Sequence, residues 1–299
     1  MNTPSINIAE AARVFFRKPG VLPRLILINT SIFLLVYLTS LVWWLFALNN
    51  EETGGMSPLV LWMAVPSDVL NLSSKPWTIL TYMFLHEGFL HLLFNMLILY
   101  FGGVVFLQYL SPKQMLLVYL TGGFFGAVVF IVSYNVFPIF SQIKDFSVAL
   151  GASASVLAVM IAISTHVPDY KVHLFFIGPV KLKYLAFVFI ILDIFSIKGN
   201  NPGGHLAHLG GALWGFAYIQ LLKYNFDPFF FSGKRKSRIK VSYKASNKGR
   251  PLNDDEYNRQ KAIEQKQIDQ ILDKISESGY GSLSNHEKEL LFRTSHKKK

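Results

Sequence analysis

The chain has 299 residues, 52% of them hydrophobic and 16% charged, with 26 phenylalanines, no cysteine and a formal net charge of +11. That balance excludes an ordinary soluble enzyme and indicates a polytopic membrane protein, while the lack of cysteine excludes disulfides, thiolate catalysis and cysteine-ligated metals. Nor does the charge indicate a nucleic-acid partner: no recognition motif accompanies it, and 17 of the 29 Lys and Arg residues lie in 224–299, behind the apolar body.

In chain order, residues 1–23 set Ala11, Ala12, Phe15 and Phe16 among Arg13, Arg17 and Lys18. This is the pattern of an amphipathic helix at a cytoplasmic surface, stopped by Pro19-Gly20. A first apolar span follows over 25–48. No cleavable signal peptide is expected, because the run is long enough to cross and no small-residue cleavage site ends it. The long loop after it is too apolar for a free linker. Trp62 and Trp77 suggest that it lies in the membrane interface, and its length suggests a functional segment. Further spans are expected over 91–110, 114–136, 147–165, 180–197 and 204–222. Each is long enough to cross roughly 30 Å of hydrocarbon at about 1.5 Å per residue. The fold expected is therefore an all-α bundle of six transmembrane helices over 24–223. A linker over 224–253 follows, with eight basic residues and no acid between 234 and 250, suited to anionic headgroups. A small module over 254–299 reads as two short helices broken at Gly279 and Gly281.

Six spans put both termini on one side, and the basic residues select it. Arg13, Arg17, Lys18 and Arg24 precede the first span, Lys113 follows the second, Lys171, Lys181 and Lys183 lie between the fourth span and the first turn of the fifth, and the basic tail begins at Lys223. The opposite loops offer Lys75, Lys144 and Lys198 beside several acids. Both termini are expected to be cytoplasmic, in a bacterial inner membrane. Ser153 then falls about two turns from the outer end of its span and His208 about one turn from the outer end of its own, at similar depth.

Two segments carry the chemistry. The first, over 148–160, holds Ser153 and Ser155 among small residues. A membrane-helix serine can simply bond a carbonyl one turn back, and small residues commonly mark close helix packing. The second, over 203–215, carries His208 followed by Gly211 and Gly215 at three and seven positions. If Gly211 lets the sixth span approach the fourth at Gly151 and Ala154, imidazole and hydroxyl meet as a Ser–His dyad. Ser155 points away and reads as packing. His91 and Asn95, four apart, share a helical face near the outer end and could donate to an oxyanion. An interfacial histidine and a helix–helix hydrogen bond are the alternatives for them. A metal site is the competing reading for His86, His91, His205 and His208; His86-Glu87 suggests a zinc motif, but Leu90 stands where its second histidine belongs. On one helix His91 would point roughly 140° away from His86. No metal or cofactor is expected, and His205 reads as lining the mouth of the site. Asp193 could reach the interface, bond a neighbouring helix or relay a proton.

Together these residues resemble the rhomboid family of intramembrane serine proteases, over about residues 60–222. His91-Leu92-Leu93-Phe94-Asn95 is similar to the family's HxxxN, Gly151-Ala152-Ser153-Ala154 to GxSG, and Ala207-His208-Leu209-Gly210-Gly211 with Gly215 to AHxxGxxxG. The resemblance implies Ser153 as nucleophile and His208 as general base, a dyad without a third carboxylate. It implies an oxyanion hole from His91, Asn95 and the Ser153 N–H, and transmembrane protein substrates that enter laterally between spans two and five, with residues 198–203 as a cap. Membrane lipids are the other partner. Three departures stand out. Ala154 replaces a glycine, Leu157 replaces an aromatic residue that packs on the histidine, and the first loop lacks a Trp-Arg signature. None removes a catalytic atom. A rhomboid-like protein that holds membrane clients without cutting them is the rival. A transporter would need midplane charges and inverted repeats, which the sequence does not display.

Overall fold

The structure is a computed structural model, and it describes residues 15–17, 20–46, 56–174, 178–224 and 254–296. Most of the expected N-terminal amphipathic helix and nearly all of the basic linker lie outside the described residues. Two compact units divide the chain, Met1–Gly233 and Lys234–Lys299.

Helix α1 spans Val21–Leu45. A segment of short elements follows: α2 (Pro58–Met63), strand β1 (Val65–Pro66), α3 (Val69–Ser74), α4 (Thr78–Thr81) and a tight turn over Tyr82–Phe84. Trp77 donates from Nε1 to the Trp62 carbonyl at 2.9 Å, their rings 5.3 Å apart, so the two tryptophans pin this loop to itself. Helix α5 (Phe89–Tyr109) and helix α6 (Pro112–Val136) meet at a tight corner. Ser111 caps α6, its hydroxyl accepting from the Gln114 N–H while the Gln114 side chain accepts from the Ser111 N–H, and Pro112 has no N–H to leave unpaired.

Among the described helices, α1, α5 and α6 are each long and apolar enough to cross a membrane. The remaining three expected spans differ from that pattern. Helix α7 (Ser153–His166) has 14 residues, α8 (Leu182–Ser196) has 15, and α9 (Pro202–Lys223) has 22 but is rich in glycine and interrupted by polar residues. At about 1.5 Å per residue, α7 reaches only about 21 Å. The expectation of one helix over 147–165 is corrected accordingly. Residues 148–149 form strand β2, antiparallel to β1 with Val65 opposite Ala149 and Pro66 opposite Val148. Non-helical backbone at membrane depth is tolerated where protein surrounds it, and here the surroundings are specific. The Gly151 N–H donates to the Tyr82 carbonyl at 3.0 Å, and buried Ser67 bonds the carbonyls of Lys144 and Ser147.

Helix α7 is the centre of the first unit. Residues 154–164 are buried without a break, so over those three turns it has no solvent or lipid face, and only His166 at its end is exposed. Its neighbours approach closely because they carry glycine. A Cβ on Gly122 of α6 would lie 2.2 Å from the Ala158 methyl, and one on Gly126 would lie 2.6 Å from the Ala154 methyl. From the other side, a Cβ on Gly211 of α9 would lie 2.1 Å from the Ala154 carbonyl oxygen, and one on Gly215 would lie 2.3 Å from that of Ala158. Two alanines one turn apart are thus gripped between two glycine pairs of the same spacing.

A hairpin not foreseen from the sequence precedes α8: strand β3 (Lys171–Leu174) pairs antiparallel with β4 (Gly178–Lys181). Lys181 and Lys183 each lie 2.9 Å from Asp169 and hold its carboxyl down at about 2. In the second unit, α10 (Asp254–Ser278) is longer than the short helix expected. Gly279, at φ 76°, turns the chain, and α11 (Asn285–His296) follows.

Candidate functional site

Ser153 is the first residue of α7, not a residue two turns inside a longer span. The bend before it requires Gly151, whose φ of +133° suits glycine. A Cβ there would also lie 3.0 Å from Cε1 and 3.2 Å from Nε2 of His91, and 3.4 Å from the Ser153 hydroxyl. Gly151 therefore lies beside His91, whereas Gly211 meets Ala154. The expected approach of the sixth span to both Gly151 and Ala154 is corrected to Ala154. At the start of a helix, the Ser153 N–H has no carbonyl one turn back to bond.

Helix α9 begins with Asn201 accepting from the Gly204 N–H at 2.9 Å. Two turns further, His208 Nε2 lies 2.5 Å from the Ser153 hydroxyl oxygen. On its other side, His208 Nδ1 lies 2.7 Å from Asp193 Oδ1, and His205 Nδ1 lies 2.8 Å from the same oxygen. Asp193 is buried on α8. An ionised carboxylate accepts only, so both Nδ1 atoms carry hydrogen there. His208 Nε2 is then left with a lone pair toward the serine, which is the tautomer a general base needs. The resemblance implied a dyad without a carboxylate; the geometry contains one. Of the three readings of Asp193, the bond to a neighbouring helix is the one the structure displays. His205, read as lining the mouth, shares that carboxylate.

The departure at Leu157 acquires a physical account. Leu157 packs with Ile161, Ala186 and Ala212, and the His208 ring is anchored by a hydrogen bond on Nδ1. At Ala154, the methyl that replaces a glycine's hydrogen faces the space left by Gly126. Ser155 is buried against Met83 and Gly123, as its packing role requires.

Asn95 is buried, and its amide donates to the His91 carbonyl one turn back at 2.9 Å. One of its two amide hydrogens is therefore spent within α5, and one remains. His86 and His91 do not diverge by the angle a single helix would impose. Helix α5 starts only at Phe89, so His86 lies on the preceding turn and the rings sit 5.2 Å apart, edge to face. His86 is 3% exposed and neither ring nitrogen has a hydrogen-bond partner. Burial, with His91 alongside, pushes its pKa down to about 3, so it is neutral. Sequence reasoning missed Gly122 and Gly126, although their four-residue spacing was visible in the apolar run 115–132 around them.

The profile of the Rhomboid domain matches residues 73–225, about half of the chain, and encloses every residue of this site. The chain belongs to the rhomboid family. Among curated rhomboid relatives, the presenilin-associated rhomboid-like protein A, mitochondrial, of Danio rerio is 31% identical over 145 residues, 46% of this chain and 35% of that protein. RHOMBOID-like protein 12, mitochondrial, of Arabidopsis thaliana is 32% identical over 149 residues, 47% of this chain and 44% of its own. RHOMBOID-like protein 6, mitochondrial, of the same plant is 30% identical over 178 residues, 57% and 52% respectively. The chain thus spans about a third to a half of the length of these rhomboid relatives. Their mitochondrial names do not fit the expectation of a bacterial inner membrane; that this is an integral membrane protein stands. Residues 253–297 match a family of unknown function, DUF6576.

Proposed function

We propose that this rhomboid is a serine-type intramembrane endopeptidase that cuts peptide bonds in or near transmembrane segments of other proteins. The observation that carries the proposal is the continuous line from Ser153 Oγ through His208 Nε2 and Nδ1 to Asp193. In the reaction, Ser153 Oγ attacks the scissile carbonyl while His208 Nε2 takes its proton. The oxyanion accepts from the Ser153 N–H and from the side chains of His91 and Asn95. His208 then gives its proton to the leaving amine. Water, deprotonated in turn by His208, releases the acyl group and restores the serine.

The reading extends to topology. Six membrane-embedded helices, α1 and α5 to α9, with both termini cytoplasmic agree with the distribution of basic residues. Lateral entry of a substrate helix between α5 and α8 is what the family resemblance implies; the apolar cavity of about 370 Å³ between these helices lies toward the β3–β4 hairpin, lined by Ile98, Met160, Val172, His173 and Leu185. Membrane lipids would fill this gap when no substrate is bound. Anchoring Asp193 on α8 ties the base to the helix that borders the entry route.

The test is cleavage of a generic single-span reporter by purified protein in lipid bilayers. Wild type should cut it, and Ser153→Ala and His208→Ala should each abolish cutting while remaining folded and inserted. Reporter that binds but stays intact with wild type would favour the rival reading, a rhomboid-like protein that holds clients.

A further inference from the structure

We infer that Asp193, His205 and His208 form a binding site for a divalent transition metal of the zinc type, and that its occupation switches off the Ser153–His208 pair. The second half rests on the protease reading; the first does not.

Among the described residues, one carboxylate oxygen and two imidazole nitrogens offer ligand atoms that all lie within 4.8 Å of one another. His205 and His208 are three apart on α9 and share a face, while Asp193 meets them from α8. A tetrahedral zinc ion with bonds of about 2.0–2.1 Å spaces its ligands roughly 3.3 Å apart. The two contacts of 2.8 and 2.7 Å to Asp193 would need to open by about half an ångström, and the two histidine nitrogens, within 4.8 Å of each other, would need to settle at the same spacing. Two nitrogens and one oxygen suit zinc or cobalt, whereas magnesium and calcium prefer oxygen sets. Three protein ligands leave a fourth position for water. The two histidine side chains are 26% and 24% exposed, so an ion has a route in, and Asp193 at 10% is shielded behind them.

The switch follows from where a neutral imidazole keeps its single hydrogen. In the hydrogen-bonded state it sits on Nδ1 of His208. With a metal on Nδ1 it moves to Nε2, and no net proton is released. The lone pair that faced Ser153 is then gone, so the serine keeps its proton and the base is disabled without any contact at the nucleophile.

The experiment uses the full chain in detergent, with cobalt(II) as probe and zinc as competitor. Binding is measured on Ser153→Ala, which separates it from catalysis. One cobalt ion per chain should give the visible absorption of a four-coordinate site, bleached by zinc. Because outer-shell changes alone cost about 10- to 100-fold in metal affinity, removing a ligand by Asp193→Asn or His205→Gln should cost at least about 100-fold. His205→Cys, which supplies a zinc ligand again, should recover binding, so loss through misfolding is distinguished. In wild type, reporter cleavage should fall in step with zinc occupancy and return with chelator. His205→Gln, compared with its own zinc-free rate, should ignore zinc. No cobalt absorption in Ser153→Ala, or equal affinity in the ligand variants, would overturn the site. Cobalt binding as expected in a protein that cuts nothing without zinc would support the site and overturn the protease reading.

Discussion

Ser153 and His208 meet because each is flanked by residues with little or no side chain to hold the backbones apart. Asp193 then decides what the meeting can do. A histidine free to flip could present either nitrogen to the serine; one held on Nδ1 presents the basic one. Asp193→Asn keeps the size of the side chain but lets it donate as well as accept, so the wrong tautomer becomes accessible. Turnover should fall by roughly 100-fold, the order expected when a reacting group is misplaced by about 1 Å. KM should hold, since Asp193 touches no substrate. An unchanged kcat would reduce Asp193 to packing. Asn95 offers a second test. Losing one oxyanion donor costs roughly 100- to 1000-fold in kcat, so Asn95→Ala should lower kcat with little effect on KM. Should kcat be unaffected, its bond to the His91 carbonyl is its whole role.

At the scale of elements, the grip on α7 is the feature to perturb. Gly211→Ala already places a methyl 2.1 Å from the Ala154 carbonyl oxygen, so α9 must shift. Overpacking of this kind costs roughly 1–3 kcal/mol, and the loss of cleavage should exceed what that cost in stability explains. Gly88→Ala is the control, since a Cβ there meets nothing within 4 Å. Comparable cleavage by the two variants would refute the contact. The second unit has its own test. Glu287 accepts from the Ser284 N–H at 2.7 Å and from Lys274 at 2.9 Å, and the Ser284 bond is the main reason its carboxyl is held at about 2 instead of 4.5. A depressed acid stabilises the fold above its ordinary value and loses that contribution as pH falls through the depressed one. Protection against hydrogen exchange at the turn over 279–287, taken relative to the intrinsic exchange rate at each pH, should therefore fall between about pH 4.5 and 2, and Glu287→Gln should abolish that dependence. The sequence makes α5, α6 and α9 legible to within a few residues, because apolar length and caps agree there. It fails at α7, where 147–152 is as apolar as a span yet runs extended. Hydropathy reports burial, and β2 is buried by pairing with β1.

For the whole molecule, the pairing of Ser153 with His208 is readable in advance because glycine spacing encodes which helix faces touch. Asp193 is not, since it joins the histidines only through packing of α8 against α9 and no local pattern records that. The hairpin over 171–181 escapes for a related reason: alternating short strands flanked by lysine carry too little periodicity to separate them from a loop. Activity as a protease depends on one atom being a nucleophile, and that can be read directly. A fluorophosphonate should react with the wild-type protein in bilayers, and peptide mass spectrometry should find the adduct on Ser153, with labelling lost in Ser153→Ala and strongly reduced in His208→Ala. An adduct on Ser155 or any other residue, or labelling that survives Ser153→Ala, would contradict the account.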